Sequence, residues 1–133
     1  MAGVTDPISV AVRFNDRINT GDLIGLATLM TDDHTFVDTQ GAVVTGKTAC
    51  VETWRGFFAA FPDYRNTFTS FGVRDGKVTI VGRSSCSVPV LDGPAIWTAT
   101  VRHGRVAQWR VYEDTPDVRQ RLGVAPEHPA HQP

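Results

Sequence analysis

The chain has 133 residues, 41% hydrophobic and 20% charged, with thirteen basic against fourteen acidic side chains and a formal net charge of −1. That length suits one domain with a buried core, and a near-neutral balance without a basic stripe argues against a nucleic-acid partner. The longest uninterrupted apolar run, Phe57 to Phe61, is far short of the roughly 20 residues of a membrane span, so no membrane partner is expected.

Met1 to Pro7 carries no Lys or Arg and precedes no leader-like apolar run, which predicts no secretory signal and a cytoplasmic location. Asp6 caps a predicted helix that begins at Pro7, because proline is pre-set for a first helical turn. Ile8, Ala11, Val12 and Ile18 mark its apolar face, with Val10 and Phe14 beside it, and Gly21 ends it. Asp22 caps a second helix whose Leu23, Leu26, Ala27 and Met30 follow the 0, 3, 4, 7 spacing. His34 to Asp38 reads as a short strand that turns through Thr39-Gln40-Gly41 into Ala42 to Thr45. A third helix follows Gly46, with Val51, Trp54, Phe58 and Phe61 on one side, and Pro62 stops it.

From Tyr64 the pattern changes to strands. Tyr64 to Arg74 and Lys77 to Val88 are joined by Asp75-Gly76, a strong two-residue hairpin signal. Ala95 to Arg102 and Arg105 to Glu113 turn at His103-Gly104, and Pro89 to Pro94 is a loop between the pairs. Pro116 to Leu122 reads as a short helix closed by Gly123, placed either over the mouth of the fold or on a partner subunit. Helices followed by a four-strand meander predict one α+β domain over residues 1–116, with a short helix and Pro-rich tail over 117–133. Long antiparallel strands with helices on one face curl into an open cone, whose apolar interior suits a small ligand.

Cys50 and Cys86 have no CxxC spacing and read as two reduced, mostly buried thiols. His128 and His131 have no further ligand cluster beside them, so no metal is expected. No phosphate-cradling glycine loop or Ser-His-Asp pattern is present, and no cofactor is expected.

Asn19-Thr20-Gly21-Asp22-Leu23, Met30-Thr31-Asp32-Asp33, Phe36-Val37-Asp38, Gly41 through Gly46, Phe57-Phe58 and Phe61-Pro62-Asp63-Tyr64 resemble the first half of a SnoaL-like domain. The stretch from Gly104 to Asp114 resembles that group's last strand. The group belongs to the nuclear transport factor 2-like superfamily, with ketosteroid isomerase and limonene-epoxide hydrolase. The resemblance covers about residues 7–116. It implies a cone-shaped α+β barrel: three N-terminal helices packed on a strongly curved, mostly antiparallel sheet, usually a homodimer through the sheet's outer face. This fold hosts many chemistries and some pure binding modules.

The family's sites map unevenly onto this chain. Asp38 matches the proton-shuttling carboxylate of ketosteroid isomerase, whose chemistry is removal of an α-proton beside a ligand carbonyl. Asp38 is equally suited to start the turn toward Gly41 by bonding nearby backbone. The isomerase's oxyanion donors correspond to Phe14 and Trp97, and neither carries an O–H group. Loss of such a donor typically costs about 2.7–4 kcal/mol of barrier. The cyclases' and epoxide hydrolases' last-strand acid falls at Val111. The hydrolases' Arg-x-Asp becomes Arg83-Ser84-Ser85, and their Tyr and Asn near the first strand become Phe36 and Asp38. Glu113 at the end of the last strand is a candidate displaced acid.

The expected site therefore combines Asp38 as general base with a ligand-binding wall. Phe14, His34, Phe36, Trp54, Phe58, Tyr64, Arg83, Ser85, Trp97, Trp109 and Val111 form that wall. The expected function is a cofactor-free isomerase, cyclase or lyase acting on a hydrophobic, aromatic or polyketide-like carbonyl compound. The alternative is a non-catalytic small-molecule-binding or accessory dimerisation protein of the same fold.

Overall fold

A computed structural model describes residues 6–125. The expectations for residues 1–5, for His128 and His131 and for the Pro-rich tail lie outside the described residues. Helix α1 (Pro7–Thr20) is capped by the Asp6 carboxylate, which accepts from the Ser9 amide at 3.1 Å, and closes at Gly21 with φ +67°. Asp22 caps α2 (Leu23–Thr28) by accepting from the Gly25 amide at 2.9 Å. Strands β1 (Met30–Val37) and β2 (Val43–Thr45), helix α3 (Lys47–Ala60) and strands β3 (Arg65–Arg74) and β4 (Lys77–Ser85) follow. A single 3-10 turn at Pro89–Leu91 precedes β5 (Gly93–Arg102), β6 (Arg105–Glu113) and α4 (Pro116–Leu122).

The six strands form one sheet in the order β2-β1-β6-β5-β4-β3, antiparallel except where β1 runs parallel to β6. Both long hairpins turn through two residues of positive φ, Asp75-Gly76 and His103-Gly104. This is the type I′ geometry that matches strand twist. Register puts Ile80, Trp97 and Val111 side by side, and Val78, Ala99 and Trp109 beside one another in the next row. These two rows pack with Val10, Ala11, Phe14 and Ile18 of α1 and with Trp54 of α3 in the core. The sheet curls at irregularities in β3/β4, β5/β6 and β1/β6. At Gly82 an added Cβ would collide with the Thr67 carbonyl, so a glycine is what lets β3 cross that close.

Three boundaries differ from the sequence reading by two residues or more. Met30 opens β1 instead of closing a helix, and the strand starts four residues before His34. An inward strand residue and a helical-face residue are both apolar there, so spacing does not separate them; pairing of Met30 with Val106 does. β4 stops at Ser85 because the next amides are taken by side chains. Cys86 N donates to Asp92 Oδ1 at 3.0 Å and Ser87 N to Asp63 Oδ2 at 2.8 Å. β5 begins at Gly93, paired with Ser84.

The outer face of the sheet is partly covered by the chain itself. Ile96 and Thr98, out of register with Trp97, are buried, as is Val118 of α4. Arg121 and Leu122 of α4 share a groove with Thr79, Val81 and Thr100. Arg119 Nε and Nη2 donate to the two Asp114 carboxylate oxygens at 2.6 and 2.8 Å, which clamps α4 to the end of β6. Thus α4 lies against its own sheet. No helix among the described residues is long and apolar enough to cross a membrane. Both cysteines are free, Cys50 buried and Cys86 half-buried.

Candidate functional site

A cavity of about 590 Å³ opens between α3, the concave face of the sheet and the loop around Pro89–Leu91. That volume falls within the range of small-molecule pockets. Its floor is Trp97, Trp109 and Val111, supplied by the inward register of β5 and β6. Its side wall is a run of aromatic rings: Phe36 against Trp54 at 5.4 Å, Trp54 against Phe57 at 5.6 Å, and Phe57 edge-on to Tyr64 at 4.8 Å. Helical spacing turns Trp54 and Phe57 to the same side, three residues apart.

Asp38 follows β1 and borders the cavity at one end. Its Oδ1 accepts from the amides of Gln40 at 2.9 Å and Ala42 at 3.0 Å, closing the turn through Gly41. Oδ2 takes no hydrogen bond among the described residues. One oxygen therefore holds the backbone while the other is left for a ligand or water. Trp54 is 5% exposed, and its indole Nε1–H has no partner among the described residues.

At the other end, Tyr64 and Ser84 both line the cavity, with the phenol oxygen 3.1 Å from Ser84 Oγ. Burial pushes the Tyr64 phenol above its usual range, partly offset by the Ser84 hydroxyl and the nearby Asn66 side chain. Ser84 Oγ lies 2.8 Å from Asn66 Oδ1, and Asn66 is tied in turn to Asn15 and Asn19 of α1.

Four carboxylates border the cavity, from Asp38, Asp92, Glu113 and Asp114, and no Lys, Arg or His lines it among the described residues. Arg83 pairs with Asp92 at 3.1 Å and Arg119 with Asp114, whereas Asp38 and Glu113 form no ion pair there. Exposed Glu113 sits at the rim. The wall is aromatic and electronegative. No group of three or more His, Cys, Asp or Glu among the described residues stands where it could hold a metal ion.

Of the residues expected at the site, the structure brings Phe36, Asp38, Trp54, Tyr64, Trp97, Trp109 and Val111 together around the cavity. It does not bring Phe14, His34, Phe58, Arg83 or Ser85 there. Phe14 is fully buried below the floor, 4.7 Å from Trp109 and 5.6 Å from His34. Nδ1 of His34 donates to the Val106 carbonyl at 2.6 Å, and burial holds the imidazole pKa below its usual value, against the opposing effects of that bond and of Asp33. Phe58 packs on Trp54 from the core side at 5.5 Å.

Arg83 and Ser85 are exposed because alternation along β4 turns Val78, Ile80, Gly82 and Ser84 inward. Ser84 is the residue that sequence reasoning missed. Extending the apolar 78, 80 alternation by four residues would have found it. Phe57 was missed for Phe58, its neighbour on the helix. Asp92 came from a loop without periodicity.

Comparison with known proteins places this geometry. The family model described as SnoaL-like domain matches residues 11–113. No curated protein matches the sequence. Among solved structures, a candidate polyketide cyclase from Sinorhizobium meliloti is 20% identical, with a TM-score of 0.70 over 77% of this chain and 92% of its own. An epoxide hydrolase from M. tuberculosis, of the kind named LEH-like, is 15% identical with a TM-score of 0.71 over 84% of each chain. TerC, co-crystallised with polyporic acid, is 16% identical with a TM-score of 0.68 over 86% of this chain and 95% of its own. At such identities the likeness is one of fold.

Proposed function

This chain belongs to the SnoaL-like domain family, and from that premise we propose that it is a cofactor-free isomerase or cyclase working by general acid-base catalysis on a hydrophobic carbonyl compound. The observation that carries the reading is Asp38 at the wall of an aromatic cavity, with Oδ1 anchored by two amides and Oδ2 unbonded. Oδ2 takes the α-proton of a ligand carbonyl, the electron pair moves onto the carbonyl oxygen, and the same carboxylic acid returns the proton at another carbon. Phe36, Trp97, Trp109 and Val111 enclose the apolar body of the ligand. TerC's crystals with polyporic acid support a small organic molecule as the occupant of this fold. A homodimer and a cytoplasmic setting belong to the same reading.

The test is Asp38→Asn, assayed as deuterium uptake at the α-carbon of 1-tetralone in D2O. Asparagine keeps an oxygen for the Gln40 and Ala42 amides, so the turn survives and only the base is lost. Exchange should fall by about 100-fold or more, with 1-tetralone affinity unchanged. Equal exchange by wild type and variant overturns the reading. A second reading, a non-catalytic binding protein, is favoured by the commitment of Oδ1 to the turn and by the absence of acids at Val111 and Ser85. It predicts 1-tetralone binding without enzyme-dependent exchange.

A further inference from the structure

The hydrogen bonds at the Tyr64 end of the cavity have only one consistent proton order. The backbone carbonyl of Asn66 accepts from Asn15 Nδ2 at 3.3 Å and from Asn19 Nδ2 at 2.9 Å, and the Asn66 amide donates to Asn19 Oδ1 at 2.8 Å. Backbone groups have fixed polarity, so these contacts orient both α1 amides. With Asn15 Nδ2 on that carbonyl, its Oδ1 faces the Asn66 side chain at 3.1 Å and requires Nδ2 there. Asn66 Oδ1 is thereby turned to Ser84, 2.8 Å away, and an amide oxygen only accepts. Ser84 must spend its single hydroxyl proton on Asn66. Its oxygen then accepts from Tyr64, whose phenol proton is committed in turn.

We propose that Tyr64 acts on a bound ligand as a hydrogen-bond acceptor, so that this end of the cavity selects a neutral molecule bearing a hydroxyl, such as a phenol. The proposal rests on the reading of the cavity as the ligand site. The phenol keeps its proton because burial raises its pKa, and its remaining lone pairs are what the cavity meets. Reversing the order would set lone pair against lone pair at one link of the chain, the arrangement that buried networks avoid. A ligand carboxylate is disfavoured there, since the lining holds no cation and Glu113, without an ion pair among the described residues, borders the same cavity. Asp38 lies after β1 and Ser84 on β4, three strands apart in the sheet. At about 4.8 Å per strand that is roughly 14 Å along the sheet, enough for an extended bicyclic or tricyclic body between a carbonyl and a hydroxyl.

The experiment titrates the full-length protein with 2-naphthol and with 2-methoxynaphthalene by calorimetry. The two probes share a ring system, but only the first donates. Wild type should bind 2-naphthol about tenfold more tightly, equivalent to about 1.4 kcal/mol. Tyr64→Phe removes the acceptor while keeping the ring, so it should bring that ratio below about two without tightening the ether. Equal affinities in wild type, or a tenfold ratio that survives Tyr64→Phe, overturn the proposal while leaving the cavity and Asp38 untouched. Binding of neither probe overturns the cavity reading and the proposal together.

Discussion

His34 and Val106 are joined across the parallel junction of β1 and β6, the imidazole Nδ1–H donating to the carbonyl at 2.6 Å. A carbonyl only accepts, so Nδ1 carries the proton and Nε2 is left bare in the core, without a partner among the described residues. A charged imidazole would place an unpaired N–H there, and burial accordingly lowers the pKa from 6.5.

The sign of the pH effect follows. The unfolded chain binds a proton near pH 6.5 and the folded chain only at lower pH, so the stabilising contribution is complete above pH 6.5. It is lost as pH falls through the lowered folded value. Melting temperature should drop between pH 7 and pH 5 in wild type. His34→Asn, which keeps a donor for Val106, should flatten that slope. An equal slope in the variant would assign the effect to other groups.

Asp38 has a structural duty separable from any chemistry. Asp38→Ala leaves the Gln40 and Ala42 amides without their acceptor and should lower unfolding free energy by about 1 kcal/mol in urea denaturation. Asp38→Asn should lie close to wild type. Similar losses in both would mean that charge, not the turn bond, supplies the stability.

Gly82→Ala should cost about 1–3 kcal/mol, because the new methyl meets the Thr67 carbonyl rather than a flexible side chain. Gly72→Ala on the neighbouring strand, where nothing lies within 4 Å of an added Cβ, is the control. Equal denaturation midpoints would show that β3 gives way freely.

The Asp114–Arg119 pair is nearly enclosed, with side chains 8% and 12% exposed. Arg119→Met strands a buried carboxylate and should lower stability by about 3 kcal/mol. Hydrogen exchange should rise first in Pro116–Leu122, since the clamp holds α4 to the sheet. Unchanged protection of α4 would assign its docking to Val118 instead.

Most of the aromatic lining was legible from residue type and rough register: Phe36, Trp54, Tyr64, Trp97 and Trp109 reach the cavity, whereas Phe57 was not expected there and the expected Phe14 and Phe58 pack elsewhere. Its polar half was not. Aligning Arg83 and Ser85 with a related motif put both one residue out of phase with the apolar alternation of β4, and a one-residue slip sends a side chain to the opposite face. His34 was expected beside the ligand, yet it lies in the core against Phe14 with its Nδ1 committed to the Val106 carbonyl.

Local chemistry determined what needs only neighbours in the chain. Asp6-Pro7, Gly21-Asp22, Asp75-Gly76 and His103-Gly104 specify their caps and turns because the hydrogen bonds and φ angles involved span a few residues. Tertiary structure alone decided that Met30 is a strand residue. It also ordered the Tyr64 proton through Asn66 to Asn15, 51 residues away in the chain. Those outcomes depend on which strand pairs with which and on groups brought together from distant segments, and no periodicity within one segment encodes them.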